Sequence, residues 1–453
     1  MIEVPDITFE LKSRDLYLNK LIAFKDMNEI KVVTGIRRCG KSSLLKLMQK
    51  YLKDSGIEDS QIIDMNFESM AYSGMDYKEF YDYVKMRILP DRKMYLFFDE
   101  LQRIERWEDA VNSFRVDFDC DIYITGSNAY LLSSEFSTYL SGRYVEVKMY
   151  PLSFREFLDF YGYEVKEYKF PLGEMKHRIY GSNGEQEDPK DVFNTYMYYG
   201  GMPAISEVGF VQERALDLLE GIYSTAIIKD VLGRERWRGQ RRVTDPELLR
   251  KIVMFLADNI GNNTSLRSIA NTLVNEEMLE NKNEKGKKKE KGANKPATQT
   301  VSAYVGALLE SYLFYEIKRF DIKGKELLRT NGKYYIVDTG IRNYLLGYRD
   351  IDIGHVIENI VYFELLRRGY DVAVGKIGDS EIDFIATKNM EKIYYQVTDQ
   401  MVTKETRDRE LNPLREIKDN YEKAVIILNT DTTAPIEGIQ IIPLIDFLLS
   451  SVS

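Results

Sequence analysis

Lys31-Val32-Val33-Thr34-Gly35-Ile36-Arg37-Arg38-Cys39-Gly40-Lys41-Ser42-Ser43 is the stretch that decides the fold. The apolar run Lys31–Thr34 gives way to Gly35–Ser42, which fits the pattern G-x-x-x-x-G-K-[ST]. A loop of this kind cradles phosphates with backbone N–H groups, and its glycines let the chain approach where a Cβ would block it. Beyond it, Leu44, Leu45, Leu47, Met48, Tyr51 and Leu52 fall on one face of a helix. Strand, glycine loop and amphipathic helix, in that order, are the context that the pattern requires. Gly35 through Ser43 are therefore the candidate nucleotide-binding residues. Lys41 is expected on the outer phosphates and Ser42 on Mg2+, with the positive end of the helix facing the anion. Cys39 fills a variable position, where it needs no redox role; beside Lys41 it is a candidate for oxidation.

Outward from the loop, short apolar runs alternate with helical patterns over residues 1–150, the signature of a parallel sheet flanked by helices. Further strands are expected at Ile62–Phe67, Met94–Phe98, Ile122–Thr125 and Val145–Met149. Met94–Phe98 is apolar throughout, as in a strand buried on both faces. It runs into Asp99 and Glu100. At that position Asp99 can hold Mg2+ through water, and Glu100 can polarise an attacking water. Ile124-Thr125-Gly126-Ser127-Asn128 ends another strand on polar groups. Ser127 or Asn128 can sense a γ-phosphate there, although the same residues also suit a plain turn. Open α/β sheets bind ligands at the carboxyl ends of their strands, so these motifs converge on one edge.

Together, Gly35–Ser42, Leu96–Gln102, Ile124–Asn128 and Leu140-Ser141-Gly142-Arg143 resemble the AAA+ branch of P-loop ATPases. With Pro151-Leu152-Ser153-Phe154-Arg155-Glu156-Phe157 and Gly200-Gly201-Met202-Pro203, the chain is similar to a prokaryotic family that joins such a domain to a C-terminal domain of nuclease-like fold. The resemblance implies ATP and Mg2+ as ligands, with Lys41 and Glu100 as catalytic residues. It also implies a role for Arg143, because an arginine near the end of the helix after the sensor strand often completes a neighbouring subunit's site. An ordinary surface or salt-bridged arginine is the other reading of Arg143. A lid arginine stays open among Arg234, Arg236 and Arg238.

The whole chain has 453 residues, a length that argues for about three domains. Its 44% hydrophobic and 30% charged residues are globular composition, which excludes a disordered or fibrous chain. A net charge of −9 argues against a surface covered in nucleic-acid contacts, while leaving room for one basic face. Two cysteines, Cys39 and Cys120, exclude a disulfide scaffold and a four-cysteine zinc site. No basic region followed by an apolar core opens the chain, and no uncharged apolar stretch approaches the ~20 residues that cross a bilayer. The expectation is a soluble cytoplasmic protein without a membrane partner.

Its organisation reads as an α/β ATPase core (1–150), a helical lid or connector (151–243), a winged helix (244–350) and a nuclease-like domain (351–453). Thr244-Asp245-Pro246-Glu247 has capping-box spacing with proline just inside a helix. Helices at Asp245–Asn259, Leu266–Val274 and Val301–Tyr312 precede an expected hairpin, Phe314–Phe320 with Lys333–Val337, around Lys323-Gly324-Lys325. Thr298, Gln299, Thr300 and Ser302 would start the recognition helix, with Lys323 and Lys325 at the wing tip. The Lys-rich Asn281–Lys295 reads as a disordered insertion, serving DNA contact or simply solvated. Winged helices also serve as protein-interaction units.

The tail resembles the PD-(D/E)XK nuclease fold, whose active members bind Mg2+ with a helix Glu, an Asp and a Glu-x-Lys pair. Here Glu358 lies on an expected helix, Asp383 follows Glu381-Ile382, and the last position reads Gln396-Val397-Thr398. Gln396 is a weaker ligand for a hard cation, and Thr398 brings no ammonium. The resemblance then implies a degenerate, scaffold-like or partner-binding domain. The reading as a whole is an ATP-hydrolysing switch whose nucleotide state repositions modules acting on DNA or a protein client. Two alternatives stand beside it: an ATP-binding DNA- or protein-interaction regulator with little turnover, and an ATP-gated, Mg-dependent nuclease. Further copies of the chain are another candidate partner.

Overall fold

The structure, a computed structural model, describes residues 11–127, 142–169, 175–226, 231–232, 243–273, 296–328, 331–430 and 432–450. The chain divides into two compact units, Met1–Met149 and Tyr150–Ser453. Asn128, Leu140, Ser141, the stretch 281–295, Val274 and the candidate lid arginines Arg234, Arg236 and Arg238 lie outside the described residues.

In the first unit, β1 (Ile30–Thr34), β2 (Ile62–Asn66), β3 (Met94–Asp99), β4 (Cys120–Gly126) and β5 (Tyr144–Lys148) form one parallel sheet. Its order is β2-β3-β4-β1-β5. β1 and β3 are buried along their whole length, which is why they read as apolar runs without alternation. Lys31 inside β1 is tolerated because its ammonium pairs with the buried carboxylate of Asp121 on β4. Parallel neighbours need crossovers, and helices Lys41–Asp54, Tyr77–Lys85 and Trp107–Asp117 supply them. Asp76 starts the second of these by accepting from the N–H groups of Lys78 and Glu79, while Glu79 returns a bond to Asp76 N–H. Around Phe80 the core is aromatic: Phe67, Phe98 and Phe114 meet its ring edge-on at 5.3, 4.8 and 5.2 Å between centroids. This packing anchors β2 and β3, and so sets the positions of the residues at their carboxyl ends.

The second unit departs from expectation in three places. The stretch read as helical after Pro151 contains an antiparallel sheet of β6 (Glu164–Lys169), β7 (Met175–Tyr180) and β8 (Gln186–Glu187). Next, the cap of helix Pro246–Asp258 is Asp245, which accepts from the N–H groups of Glu247 and Leu248; Thr244 stands one residue too early. β9 (Asn263–Thr264), a helix over 266–273 and helix Thr298–Glu310 follow, then β10 (Phe314–Ile317). The third departure is the wing. After Ile317 the chain forms β11 (Arg319–Asp321) and β12 (Glu326–Leu327), which pair with each other before β13 (Gly332–Ile336) returns beside β10 and β9.

β11 also adds in parallel to β14 (Asp371–Ile377), so the Lys323-Gly324-Lys325 turn tips the edge of a larger sheet. That sheet continues through β15 (Ser380–Lys388), β16 (Glu391–Thr398), β17 (Glu422–Ile427) and β18 (Gln440–Pro443). Its order is β12-β11-β14-β15-β16-β17-β18. The reason is twofold: β14 gains a partner for its open edge, and Phe320 and Ile322 pack on the core beneath it. Asp321 closes the turn by accepting from the N–H groups of Lys323 and Gly324.

The two sequence motifs beyond the first unit form a structural joint. Gly201 N–H donates to Asp338 Oδ2 at 2.7 Å, and Gly201 O accepts from Leu152 N–H at 2.6 Å. Asp338 meanwhile caps helix Thr339–Leu346. A Cβ on Gly200 would lie 2.3 Å from Asp338 Oδ1, and its φ is +76°, so only glycine fits. Among the described residues no helix is long and apolar enough to cross a membrane.

Candidate nucleotide site

The loop leaves β1 with Gly35 at φ +144°, where a Cβ would sit 2.2 Å from Met149 O. Gly40 (φ +101°) and Arg38 (φ +62°) are also left-handed, and these turns wrap the loop around the start of helix Lys41–Asp54. Lys41 Nζ donates to the carbonyls of Gly35 at 2.9 Å and Ile36 at 3.1 Å, which holds the ammonium across the loop. From behind, Arg14 Nη1 donates to Cys39 O at 2.9 Å. The Cys39 thiol is fully buried, and burial pushes its pKa up against the pull of Lys41 and Arg14. A buried, protonated thiol is a poor target for oxidation, which corrects the expectation for Cys39.

Asp99 ends β3 beside the loop. One of its oxygens accepts from Thr125 Oγ1 and the other from Asn66 Nδ2, the latter at 3.1 Å. The exposed Ser42 stands beside Asp99 and helps to lower its pKa. Burial raises the Asp99 pKa, while Thr125 and Ser42 oppose that shift. A solvent-facing hydroxyl beside a carboxylate is a donor set that suits Mg2+. Glu100 is buried and held in left-handed backbone at φ +56°, a conformation that costs energy for a non-glycine residue. Its N–H donates to Thr125 Oγ1 at 3.0 Å. The carboxylate accepts from Gln102 Nε2 at 2.6 Å and Ser127 Oγ at 3.2 Å, and Arg37 Nη2 lies 3.7 Å away. Thr125 thus ties the ends of β3 and β4 together, and the loop, Asp99, Glu100 and Ser127 share one edge.

Arg143 does not share it. Its carbonyl accepts from Ile30 N–H at 2.8 Å, and the next residue, Tyr144, pairs with Ile30 at the start of β1. The loop begins at the other end of this five-residue strand, which spans about 16 Å at ~3.3 Å per residue. Arg143 is therefore exposed at the opposite edge of the sheet.

A second cluster lies in the other unit. Glu358, on helix Ile353–Arg367, accepts from Lys333 Nζ at 2.8 Å and Tyr335 OH at 2.5 Å. Lys333 Nζ also stands 2.9 Å from Glu381 Oε1 and 3.6 Å from Asp383 Oδ1. Val397 N–H donates to Asp383 Oδ2 at 2.9 Å, and Asp383 N–H to Gln396 Oε1 at 3.4 Å. Thr398 stays apart, bonding Gln400 O at 3.4 Å. Burial and the neighbouring Glu358 push the Asp383 carboxyl up to about 8, against the pull of Lys333. For Lys333 burial works the other way, yet Glu358, Asp383 and Glu381 together raise its pKa, so it stays charged. Among the described residues, no group of acidic, His or Cys side chains is arranged to hold a metal ion.

Sequence reasoning missed Arg14, Asn66, Thr125 and Lys333. Asn66 and Thr125 had a usable signal, since both stand at carboxyl ends of strands beside a loop already recognised. Lys333 had a weaker one: a lysine leading into the apolar run Tyr334–Val337 must find anions if it is buried.

Residues 27–158 match the AAA domain family, and residues 190–352 match a domain of unknown function. An uncharacterized protein of Haemophilus influenzae is 37% identical over 439 residues, covering 96% of this chain and 98% of that protein. An uncharacterized protein of Methanocaldococcus jannaschii is 27% identical over 434 residues, covering 93% of this chain and 85% of its own length. Among solved structures, a Walker-type ATPase of Pyrococcus abyssi aligns with 74% of this chain and 95% of its own, at 16% identity and TM-score 0.46.

Proposed function

The chain belongs to the same family as its Haemophilus influenzae relative and carries an AAA domain, and we propose that it binds ATP at Gly35–Ser42 and hydrolyses it. The observation that carries this reading is the linked set at the strand ends: Thr125 bonded to both Asp99 and Glu100, beside Lys41 and Ser42. Backbone N–H groups of the loop bind the phosphates, and Lys41 neutralises their outer charge. Ser42 and Asp99 would hold Mg2+, which when bound draws charge from the β- and γ-phosphate oxygens. Glu100 orients the attacking water and accepts its proton, while Ser127 supports that carboxylate. Arg143, on the far edge, can serve only a neighbouring copy of the chain. Calorimetry of ATP with wild-type and Lys41→Ala protein tests the assignment; equal affinities refute it.

The modules after the AAA domain are read as a winged helix and a nuclease-like sheet that respond to the nucleotide. The order of helices and strands over 246–336 supports the first, and the exposed Thr298, Gln299 and Ser302 give it a polar face for DNA or a protein client. The wing reading of Lys323 and Lys325 is withdrawn, because their hairpin is bound into another sheet. Nuclease chemistry is not proposed, since Lys333 already neutralises Glu358 and Glu381.

A further inference from the structure

The loop carries two arginines ahead of its lysine, and they are treated differently. Arg38 is exposed. The Arg37 side chain is 12% exposed and runs along the strand ends, with its guanidinium 3.0 Å from Glu68 Oε1 and 3.7 Å from Glu100 Oε2. Glu68 follows β2 and Glu100 follows β3. A side chain of the phosphate loop therefore reaches the very carboxylate that faces the attacking water. That carboxylate and the γ-phosphorus must both contact the same water, so a guanidinium beside one is within a short swing of the other.

We propose that Arg37 is a catalytic residue supplied from within the same chain, moving from Glu68 and Glu100 onto the γ-phosphate oxygens when ATP binds. This rests on the reading of Gly35–Ser42 and Glu100 as an ATPase site. The exchange is favourable for three reasons. The contact with Glu68 is half-exposed and screened, and Arg103 stays behind at 2.9 Å to neutralise that carboxylate. A phosphate offers the planar fork two charged oxygens at once. And Glu100 keeps the bonds from Gln102 and Ser127 on the oxygen that Arg37 leaves, so no buried hydrogen bond is lost there. In the reaction, the water oxygen bonds to the γ-phosphorus as the bond to the β–γ bridging oxygen breaks. The electron pair leaves with ADP, and the water's proton passes through Glu100 to the phosphate product. Arg37 forms no covalent bond; it stabilises charge that grows on the equatorial oxygens.

The test uses the full chain with Mg2+ in single-turnover hydrolysis of ATP, ATP calorimetry, and trapping of ADP with aluminium fluoride as a mimic of the transferring phosphoryl group. Arg37→Ala should slow hydrolysis about 1000-fold. ATP affinity should fall far less than the rate, because the contact strengthens as charge grows on the equatorial oxygens, and the aluminium fluoride complex should be lost. Arg37→Lys should recover only part of the rate, because an ammonium lacks the fork. Mixing Arg37→Ala with Lys41→Ala protein should stay inactive, since both lesions act within one chain. Wild-type hydrolysis and trapping in Arg37→Ala would overturn the proposal while leaving the ATPase reading intact. So would recovery of activity in the mixture, which would place the arginine in trans. A wild-type chain that binds ATP without hydrolysing it, as Glu100→Gln is expected to do, would overturn both. If Arg37→Ala does not fold, Arg37→Gln carries the same comparison.

Discussion

Lys41 and Lys333 are both buried lysines set close to carboxylates at the edge of a sheet, yet they are held in opposite ways. Lys41 gives its hydrogens to two loop carbonyls, at 2.9 and 3.1 Å, while Asp99 and Glu100 take their bonds from Thr125, Asn66, Gln102 and Ser127. Among the described residues no carboxylate pairs with it directly, so its positive charge remains available to an anion. Lys333 is consumed by its surroundings: Glu358 and Glu381 stand within 2.9 Å of its ammonium, and Tyr335 caps the same Glu358 oxygen. The difference separates a site prepared for a ligand from one that supplies its own counter-ion. Under the proposed function, the same ingredients serve chemistry in the first case and a structural clamp in the second.

The comparison breaks first on stability. Lys333→Ala leaves buried carboxylates unpaired and should cost about 3–5 kcal/mol in chemical denaturation, while ATP affinity stays unchanged. A Lys333→Ala chain as stable as wild type would end the clamp reading. The reciprocal change is next in size: Lys41→Ala should weaken ATP binding roughly 10- to 100-fold by calorimetry with little loss of stability. If instead it unfolds as readily as Lys333→Ala, the two lysines are not different in kind.

A pH profile sharpens the contrast. Burial beside Glu358 lifts the Asp383 carboxyl up to about 8, against a usual value of about 4 when unfolded. The folded state therefore holds the proton more tightly. Its contribution to stability is complete below about pH 4 and is lost as the pH rises through about 8, at no more than ~1.4 kcal/mol per pH unit. Asp383→Asn should flatten that part of the stability profile. A variant with the wild-type slope would mean that another group titrates there. The smallest effect is expected from Arg143→Ala: at dilution, where neighbours are scarce, turnover per chain should match wild type. A loss that persists in monomeric protein would contradict its position at the opposite edge.

What could be read in the sequence follows the distance over which each feature is encoded. The phosphate loop is eight consecutive residues whose shape and chemistry are local, and β3 with Asp99-Glu100 is one apolar run and its end. The contacts that tune this site are not local. Arg37 meets Glu68 and Glu100 across 31 and 63 positions, and no periodicity links them. The wing failed for a related reason. Phe314–Phe320 and Lys333–Val337 have hairpin spacing, and β10 does pair with β13. Yet the choice of β11 to join β14 depends on an open edge some fifty residues downstream. In β6 and β7, exposed charged and aromatic residues mask the alternation carried by Val165 and Ile179. The Lys333 cluster needed three strands and a helix brought together before its charge had a partner.

The central claim is that the edge holding Lys41, Asp99 and Glu100 hydrolyses ATP. Phosphate release under single-turnover conditions, with protein in excess over ATP, tests it most directly when wild type is set against Glu100→Gln. ATP affinity should be equal in the two proteins and release at least about 100-fold slower in the variant, because an amide cannot accept the proton of the attacking water. Equal rates in the two proteins would contradict it.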